Sequence, residues 1–266
     1  MTATYLIIGC GNMGGAMLAG WLAAGIPAER FAIRDPALEA APEGVALYRS
    51  AQEVPGTHDA VLLGFKPQQL GALAPGLQGL AGESVAVHYL LAGLTLGQVR
   101  AAFPAARALI RVMPNLAARL GKSPVLLAQS GLGEGERAEV HAFYDTLGTA
   151  VWLEDEGRFD LLTALAGSGP GFVYRFIDAL AQAATWLGAP PDQASQLALA
   201  MVDGASSLAA GAEMSPGALA DAAASPGGMT REGLNVLDSD EALVSLLSRT
   251  LEATASRGTA LSRGED

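Results

Sequence analysis

Residues 4–20 read TYLIIGCGNMGGAMLAG, and this stretch decides the fold class of the chain. It joins a continuous apolar run, typical of a strand buried on both faces, to a Gly/Ala-rich run with helical character. The glycines between them, Gly9, Gly11 and Gly14, have the spacing G-x-G-x-x-G. Between a strand and a helix, this spacing allows a tight turn, close approach of a pyrophosphate and close packing of the helix on the strand. It therefore predicts a dinucleotide-binding loop.

The same opening also has the composition of a membrane segment. Residues 3–28 contain no Asp, Glu, Lys or Arg, and a helix of about 20 apolar residues spans a bilayer. However, the first charged residue is Glu29, so the basic segment that begins a signal peptide is missing. Glycines also interrupt the run. We therefore predict a separate strand and helix, and no membrane association.

Composition restricts the possible partners and compartment. The chain has 266 residues, half of them apolar, with 27 Asp and Glu against 16 Lys and Arg. This composition allows a sizeable core, and the absence of a Lys/Arg cluster argues against nucleic-acid binding. Cys10 is the only cysteine, so no intramolecular disulfide can form. A single cysteine fits a reducing compartment, and we expect a cytoplasmic protein.

Strand and helix patterns divide the chain into two predicted domains. Up to about Glu154, apolar strand candidates alternate with helical patterns, which predicts a doubly wound, parallel α/β sheet of the Rossmann type in residues 1–154. Residues 155–266 are Ala/Leu-rich with helical periodicity, which predicts an all-α domain. The strand candidates are TYLIIG, RFAIRD, VALYR, DAVLLGF, ESVAVHYL, ARALIRVM, SPVLLAQ and AVWL.

The choice between NAD and NADP depends on two adjacent residues. Asp35 follows the second strand candidate about 20 residues after Gly14, where an acidic side chain can bind a ribose 2′-hydroxyl of NAD. Arg34 beside it could instead accept the 2′-phosphate of NADP. Both cofactors therefore stay open. The predicted cofactor-binding residues are Gly9, Gly11, Asn12, Met13, Gly14, Arg34, Asp35 and, at the end of a buried strand, Lys66 and Pro67.

A second unusual stretch, AAASPGGMTREGL (222–234), interrupts the helical half. Ser225 and the proline after it suit a helix boundary, and Gly227 and Gly228 free the backbone before a new helix. Such a turn can direct several N–H groups at a carboxylate, with hydroxyls of Ser225 and Thr230 adding hydrogen bonds. The alternative is an ordinary helix start without a ligand.

In order along the chain, IIGCGNMGGAMLAG, GFKPQ, LLAGLTL, RVMPN, ALAGSGPGFVY and LADAAASPGGMTREGL resemble the pyrroline-5-carboxylate reductase family. The resemblance covers nearly the whole chain. It implies reduction of the C=N bond of 1-pyrroline-5-carboxylate to L-proline, the last step of proline biosynthesis, by NADPH or NADH. It also implies a helical dimerisation domain, a homodimer or larger assembly of dimers, and an active site near the dimer interface.

The resemblance also implies residue roles. Backbone amides of the S-P-G-G turn, at Ser225, Gly227, Gly228 and Met229, would hold the substrate carboxylate. Thr230 matches the second Thr of the family's S-P-G-G-T-T signature, so it would approach the ring nitrogen, and we predict it as the catalytic residue. Glu213 matches a substrate-site glutamate of some members.

The chain departs from the family pattern in several places. Met229 replaces the first Thr of the signature. The family's M-P-N-T-P reads MPNLA here, with Leu116 and Ala117 in place of Thr and Pro. These departures leave the substrate range open.

The predicted chemistry needs positioning more than acid–base groups. A protonated imine is already electrophilic, so the protein must mainly hold the two reactants together. Accordingly, we do not expect the chain's three histidines to be catalytic, and no spacing suggests a metal site.

Two alternatives remain. β-Hydroxyacid dehydrogenases share the N-terminal pattern, but their pattern also includes a catalytic lysine on the first long helix of the second domain. The lysines here are Lys66 and Lys122, neither in that region. The other alternative is a nucleotide-binding homologue without catalysis.

Overall fold

Eight strands form one sheet in the computed structural model, which describes residues 3–262 without the side chains of the last two. Their order across the sheet is β3-β2-β1-β4-β5-β6-β7-β8, and each predicted strand segment overlaps one of them. This order places the carboxyl ends of β1 and β4 side by side at the switch point of a doubly wound sheet, where such folds bind ligands. The strands are β1 Tyr5–Ile8, β2 Phe31–Arg34, β3 Ala46–Tyr48, β4 Ala60–Leu63, β5 Ala86–Tyr89, β6 Ala108–Met113, β7 Ser123–Ser130 and β8 Gly148–Trp152.

The sheet is parallel from β3 to β6, but β7 pairs antiparallel with β6, and β8 runs parallel to β7. The predicted doubly wound sheet is thus confirmed as a mostly parallel one, in which the last two strands run opposite to the other six. A parallel crossover needs a dozen or more residues. The link from β6 to β7, residues 114–122, contains only a short 3-10 segment and turns the chain back.

Alternating side chains of the strands build a core on each face of the sheet. In β1, Tyr5 and Ile7 face one core while Leu6 and Ile8 face the other, as the two-residue period of a strand requires. The first core packs against α1 (Asn12–Ala23) and α4 (Glu134–Asp145), and the second against α2 (Leu70–Leu77) and α3 (Leu96–Ala102). A sheet covered on both faces explains why its strands are apolar throughout.

Helix α1 contacts the chain around residue 118 closely because Gly20 has no side chain. A Cβ at Gly20 would overlap the carbonyl oxygen of Ala118. The uncharged opening thus consists of a four-residue strand and a twelve-residue helix, both largely buried. Among the residues that the structure describes, no helix is both long enough and apolar enough to span a membrane.

An aromatic cluster under α4 contains a buried histidine. The rings of Tyr5 and Phe143 stack with centroids 4.2 Å apart, and Trp21 stacks on Phe143 at 4.6 Å. Beside them, Nδ1 of His88 and the hydroxyl of Tyr144 lie 2.8 Å apart in a hydrogen bond. Burial, and secondly the nearby Arg107 cation, lowers the pKa of His88 to about 3. The imidazole is therefore neutral and structural.

The neutral His88 makes stability depend on pH. Its folded-state pKa lies below the ordinary value of 6.5, so only the unfolded chain takes up this proton as the pH falls below that value. The stabilisation is complete above about pH 6.5 and is lost as the pH falls towards 3. We expect His88→Gln to reduce the slope of unfolding free energy against pH in this range by up to about 1.4 kcal/mol per unit. Equal slopes in urea titrations of both proteins would contradict this.

The remaining helices follow the sheet. They are α5 Phe159–Ala166, α6 Gly169–Trp186, α7 Pro191–Gly211, α8 Pro216–Ala223, α9 Met229–Asp238 and α10 Ala242–Ser262. The chain divides into two compact units: the first runs to Ser168 and includes the end of α10 from Thr254, and the second is Gly169–Ala253. The first two and last four residues of the predicted domains lie outside the described residues.

Candidate active site

The glycine loop lies where the ends of β1, β2 and β4 meet. Gly9 has φ +85°, and a Cβ there would lie 2.9 Å from the backbone nitrogen of Phe65. Its N–H donates to the carbonyl oxygen of Arg34 at 3.0 Å, and the N–H of Gly64 donates to the carbonyl oxygen of Ile8 at 2.8 Å. Only glycine suits this conformation and spacing. The structure thus brings the loop together with the segments that contain Arg34 and Lys66.

The start of α1 has the properties of an anion site. Gly11 occupies the N-cap position without a side-chain hydrogen bond, and no acidic side chain lies in the first turn. Consequently the N–H groups of Asn12, Met13 and Gly14 are available to a ligand, at the positive end of the helix dipole. A Cβ at Gly11 would meet no atom within 4 Å, so the loop leaves open space in front of these groups. The pyrophosphate of a dinucleotide fits this arrangement.

Asp35 binds the protein's own backbone. Its Oδ2 accepts the N–H of Cys10 at 2.8 Å, and its Oδ1 accepts those of Ala37 at 2.9 Å and Leu38 at 3.2 Å. The carboxylate therefore connects the glycine loop to the turn after β2. Burial, and secondly Asp35, raises the pKa of the Cys10 thiol to about 11, so this thiol is protonated and unreactive at neutral pH.

Two arginines surround the same turn, one of which sequence reasoning missed. The guanidinium of Arg49 donates to the carbonyl oxygens of Asp35, Leu38 and Glu39. Arg34 ends β2, and its Nε is buried without a hydrogen-bond partner within residues 3–262. An isolated arginine after β3 gives no sequence signal for such a role, since it reads as a surface charge.

The segment after β4 forms the second wall of this crevice. The backbone N–H of Lys66 donates to the side-chain oxygen of Gln69 at 3.0 Å, which fixes the start of the 3-10 turn at Pro67. The Lys66 side chain is exposed. Lys66 lies just beyond the carboxyl end of β4, the position for which the sequence predicts a cofactor contact.

Asn115, another residue that sequence reasoning did not single out, connects the end of β6 to the end of α5. Its Oδ1 accepts the N–H of Ala117 at 2.9 Å, and its Nδ2 donates to the carbonyl oxygen of Ala166, also at 2.9 Å. The side chain is buried. Asn115 thereby fixes the backbone at Ala166, two residues before the first unit ends at Ser168.

A buried arginine holds the other end of α5 on the sheet. Arg111 on β6 pairs with Glu156 at 3.1 Å and with Asp160 at 2.8 Å, and its guanidinium lies 3.9 Å above the ring of Phe159. Glu156 also accepts the N–H of Leu96 at 2.8 Å. Arg111 is buried, so loss of either carboxylate would leave its charge only partly paired, and the network stabilises the contact between α5 and the sheet.

The S-P-G-G turn precedes α9 in the second unit. The N–H of Gly228 donates to the carbonyl oxygen of Ser225 at 2.9 Å, and Gly227 has φ +70°. Gly228 caps α9 without a side-chain hydrogen bond, so the N–H groups of Met229 and Thr230 are unsatisfied by the helix. The predicted substrate residues of this turn are thus adjacent and, apart from the half-buried Gly228, exposed. They surround a second helix start that suits an anion.

Neighbouring groups hold the turn, but the predicted glutamate is apart from it. Arg231 pairs with Asp221 on α8 at 2.9 Å and donates to the carbonyl oxygen of Ala224 at 3.4 Å. Glu213 lies between α7 and α8 and is exposed. Among the described residues, it makes no hydrogen bond or ion pair with the turn.

Both halves of the chain, the one with the glycine loop and the one with the S-P-G-G turn, resemble known proteins. The sequence profile described as pyrroline-5-carboxylate reductase dimerisation matches residues 156–261. The profile described as NADP oxidoreductase coenzyme F420-dependent matches residues 4–88. The pyrroline-5-carboxylate reductase of Aquifex aeolicus is 32% identical, over 90% of this chain and 90% of that protein. The chain belongs to the pyrroline-5-carboxylate reductase family.

Other members of the family match over almost their full length. The pyrroline-5-carboxylate reductase of Pseudomonas aeruginosa is 28% identical, over 98% of this chain and 97% of its own. The solved structure of the Coxiella burnetii reductase has a TM-score of 0.91 at 26% identity and covers 98% and 99% of the two chains. These matches do not favour a β-hydroxyacid dehydrogenase or a non-catalytic homologue, and α6 contains no lysine.

The two loop glycines are expected to differ in what their replacement costs. Gly9→Ala should destabilise the fold by about 1–3 kcal/mol, because the new Cβ meets the Phe65 backbone at a positive φ. Gly11→Ala should keep its thermal stability but weaken NADPH binding about tenfold or more, since its Cβ enters only the open space. Gly76→Ala, also unobstructed, is the control. Calorimetric titration that finds full NADPH affinity in Gly11→Ala would remove the loop from the cofactor site.

Proposed function

We propose that this chain performs the reaction of its family through main-chain binding at both helix starts. It is an oxidoreductase that reduces 1-pyrroline-5-carboxylate to L-proline with NAD(P)H. The observation that carries the assignment of residues is the pair of uncapped helix N-termini, one after the glycine loop and one after the S-P-G-G turn. Each presents N–H groups to a negatively charged ligand.

The turn in the second unit is proposed to bind the substrate carboxylate. The backbone around it comes from Ser225, Gly227, Gly228 and Met229. A Cβ at position 228 would lie only 2.8 Å from Oγ of Ser225, so glycine leaves room for this hydroxyl. Met229 is 95% exposed. A larger residue at the first signature position therefore adds apolar surface beside the turn without disturbing it. Glu213 is proposed as a further residue of the same substrate site, on the basis of its family resemblance.

Thr230 is proposed to hold the ring nitrogen. It follows the turn in the first turn of α9, so its hydroxyl can reach the same ligand as the free N–H groups. Reduced nicotinamide supplies the hydride to the imine carbon. The hydroxyl of Thr230 hydrogen-bonds the nitrogen as it becomes an amine, which fixes the ring for transfer. No acid–base pair is required, because the imine enters in its electrophilic, protonated form.

Thr230 variants test this role. Thr230→Ala should lower kcat/KM for 1-pyrroline-5-carboxylate by about 10- to 1,000-fold, while NADPH affinity stays unchanged. Thr230→Ser retains the hydroxyl and should recover most of the rate. Steady-state kinetics with an unchanged kcat/KM in Thr230→Ala would exclude Thr230 from the mechanism.

We infer that NADPH is the preferred cofactor. Oδ1 of Asp35 accepts hydrogen bonds from two backbone N–H groups and Oδ2 accepts one from a third. The carboxylate therefore cannot accept hydrogen bonds from the ribose hydroxyls of NAD with both of its oxygens. Arg34 at the end of the same strand has an unpartnered Nε. An arginine there suits a 2′-phosphate. Lys66 and Pro67 are proposed to contact the cofactor from the other wall.

The preference predicts an asymmetric effect of one substitution. Arg34→Ala should raise KM for NADPH about 10- to 100-fold, the range expected when a hydrogen bond to a charged group is lost. KM for NADH should change little. Arg119→Ala, an exposed arginine on another segment, is the control. Equal changes in KM for both cofactors would show that Arg34 does not recognise the 2′-phosphate.

The second unit is proposed to form the homodimer. It exposes large apolar side chains, including Tyr174, Trp186, Leu187 and Leu208, with Trp186 83% and Leu187 90% exposed. Monomeric proteins rarely expose so much apolar surface in one region. We propose residues 1–154 as the cofactor domain and residues 155–266 as the dimerisation domain. The enzyme is proposed to be cytoplasmic, with assemblies that consist of dimers.

A further inference from the structure

A cavity of about 430 Å³ lies beneath α4, at the edge of the sheet opposite the glycine loop. Its floor contains Tyr5, Ala60 and Ala86, from the amino-terminal halves of β1, β4 and β5. Val140 and Phe143 of α4 form the facing wall. The glycine loop follows the carboxyl ends of the same strands, so the two sites are separate. All lining residues belong to the first unit.

The cavity has a structural cause. Ala60 and Ala86 are small residues directly beside each other in the paired register of β4 and β5. Where larger side chains would fill the space under α4, these two leave it open. The rings of Tyr5 and Phe143 stack almost parallel, at 6°. Together they form a rigid apolar surface of a kind that typical small-molecule sites present.

Within residues 3–262, two oppositely charged side chains at the cavity have polar atoms without a protein partner. Nε of Arg30 donates to the carbonyl oxygen of Ala3 at 2.9 Å, and its guanidinium carbon lies 5.9 Å from the ring centres of Tyr5 and Phe143. Its other nitrogens, like the carboxylate of Glu139 on α4, make no hydrogen bond or ion pair within residues 3–262. Both charges act on the Tyr5 hydroxyl. Arg30 and Glu139 both line the cavity, as do Tyr5 and Phe143.

The other charged groups of the lining are already engaged. Arg107 pairs with Glu136. Asp59 accepts the N–H of Thr4 at 2.8 Å and its hydroxyl at 3.0 Å. Of the charged side chains that line the cavity, Arg30 and Glu139 therefore keep unused hydrogen-bonding atoms within the part of the chain that the structure describes. A polyphosphate or other multiple anion would meet three carboxylates and one uncommitted arginine, so its binding is disfavoured.

We propose that this cavity is a binding site for a free α-amino acid with an apolar side chain. The guanidinium of Arg30 binds the carboxylate and Glu139 binds the ammonium group. The side chain lies on the Tyr5–Phe143 stack and over the two alanines. A site of this volume is within the range of small-molecule pockets. Charge-assisted hydrogen bonds to both charged groups of the ligand select the zwitterion.

Calorimetric titration with L-leucine, in protein saturated with NADPH, tests the proposal. L-leucine should bind, and 4-methylpentanoate, which lacks the ammonium group, and 3-methylbutylamine, which lacks the carboxylate, should each bind at least about tenfold more weakly. Absence of L-leucine binding would overturn the proposal. Equal binding of either single-charge analogue would overturn the zwitterion assignment.

Variants then locate the site. Arg30→Met and Glu139→Gln should each weaken L-leucine binding at least about tenfold without changing NADPH affinity. The controls Arg119→Met and Glu83→Gln change exposed residues outside the lining and should leave it unchanged. If Arg30→Met fails to fold, Glu139→Gln alone decides. Unchanged binding in Glu139→Gln would place L-leucine elsewhere, for example at the S-P-G-G turn, and overturn the proposal.

Discussion

The carboxylate of Asp35 is the interaction on which the cofactor half of the structure depends. It accepts N–H groups from Cys10 in the glycine loop and from Ala37 and Leu38 after β2. The loop at the end of β1 is therefore held by the end of its neighbour in the sheet. Because the loop is fixed before any ligand arrives, the free N–H groups at the start of α1 already point at one place. Such preorganisation lowers the entropy that binding must overcome.

In the second unit, too, the protein's own contacts shape the turn before α9 that we propose as the substrate site. Arg231 and Asp221 hold the turn before α9, and glycines at 227 and 228 shape it. An imine reduction needs two reactants held in register and a hydrogen-bonding group at the nitrogen, which Thr230 can supply. This explains why the chain can belong to an enzyme family although its buried histidine, His88, is committed to Tyr144 and the fold.

The sequence predicted the strand segments, the glycine loop and the helical second half, because continuous apolar runs and glycine spacing follow directly from burial and turn geometry. It could not predict the reversed direction of β7 and β8, since an apolar run reads the same in either orientation. Asp35 is equally plausible in sequence as a ribose ligand or an internal brace, and only its three N–H partners distinguish these roles. The cavity above Ala60 and Ala86 depends on atoms that are missing, which no single motif indicates.

The most direct test of the account is the absorbance of reduced nicotinamide when purified protein and NADPH receive 1-pyrroline-5-carboxylate. NADPH oxidation should begin only when this substrate is added, L-proline should accumulate in equal amount, and NADH under the same conditions should give a lower kcat/KM. NADPH binding without substrate-dependent oxidation would contradict it, and would leave a protein that retains the cofactor loop without the reaction.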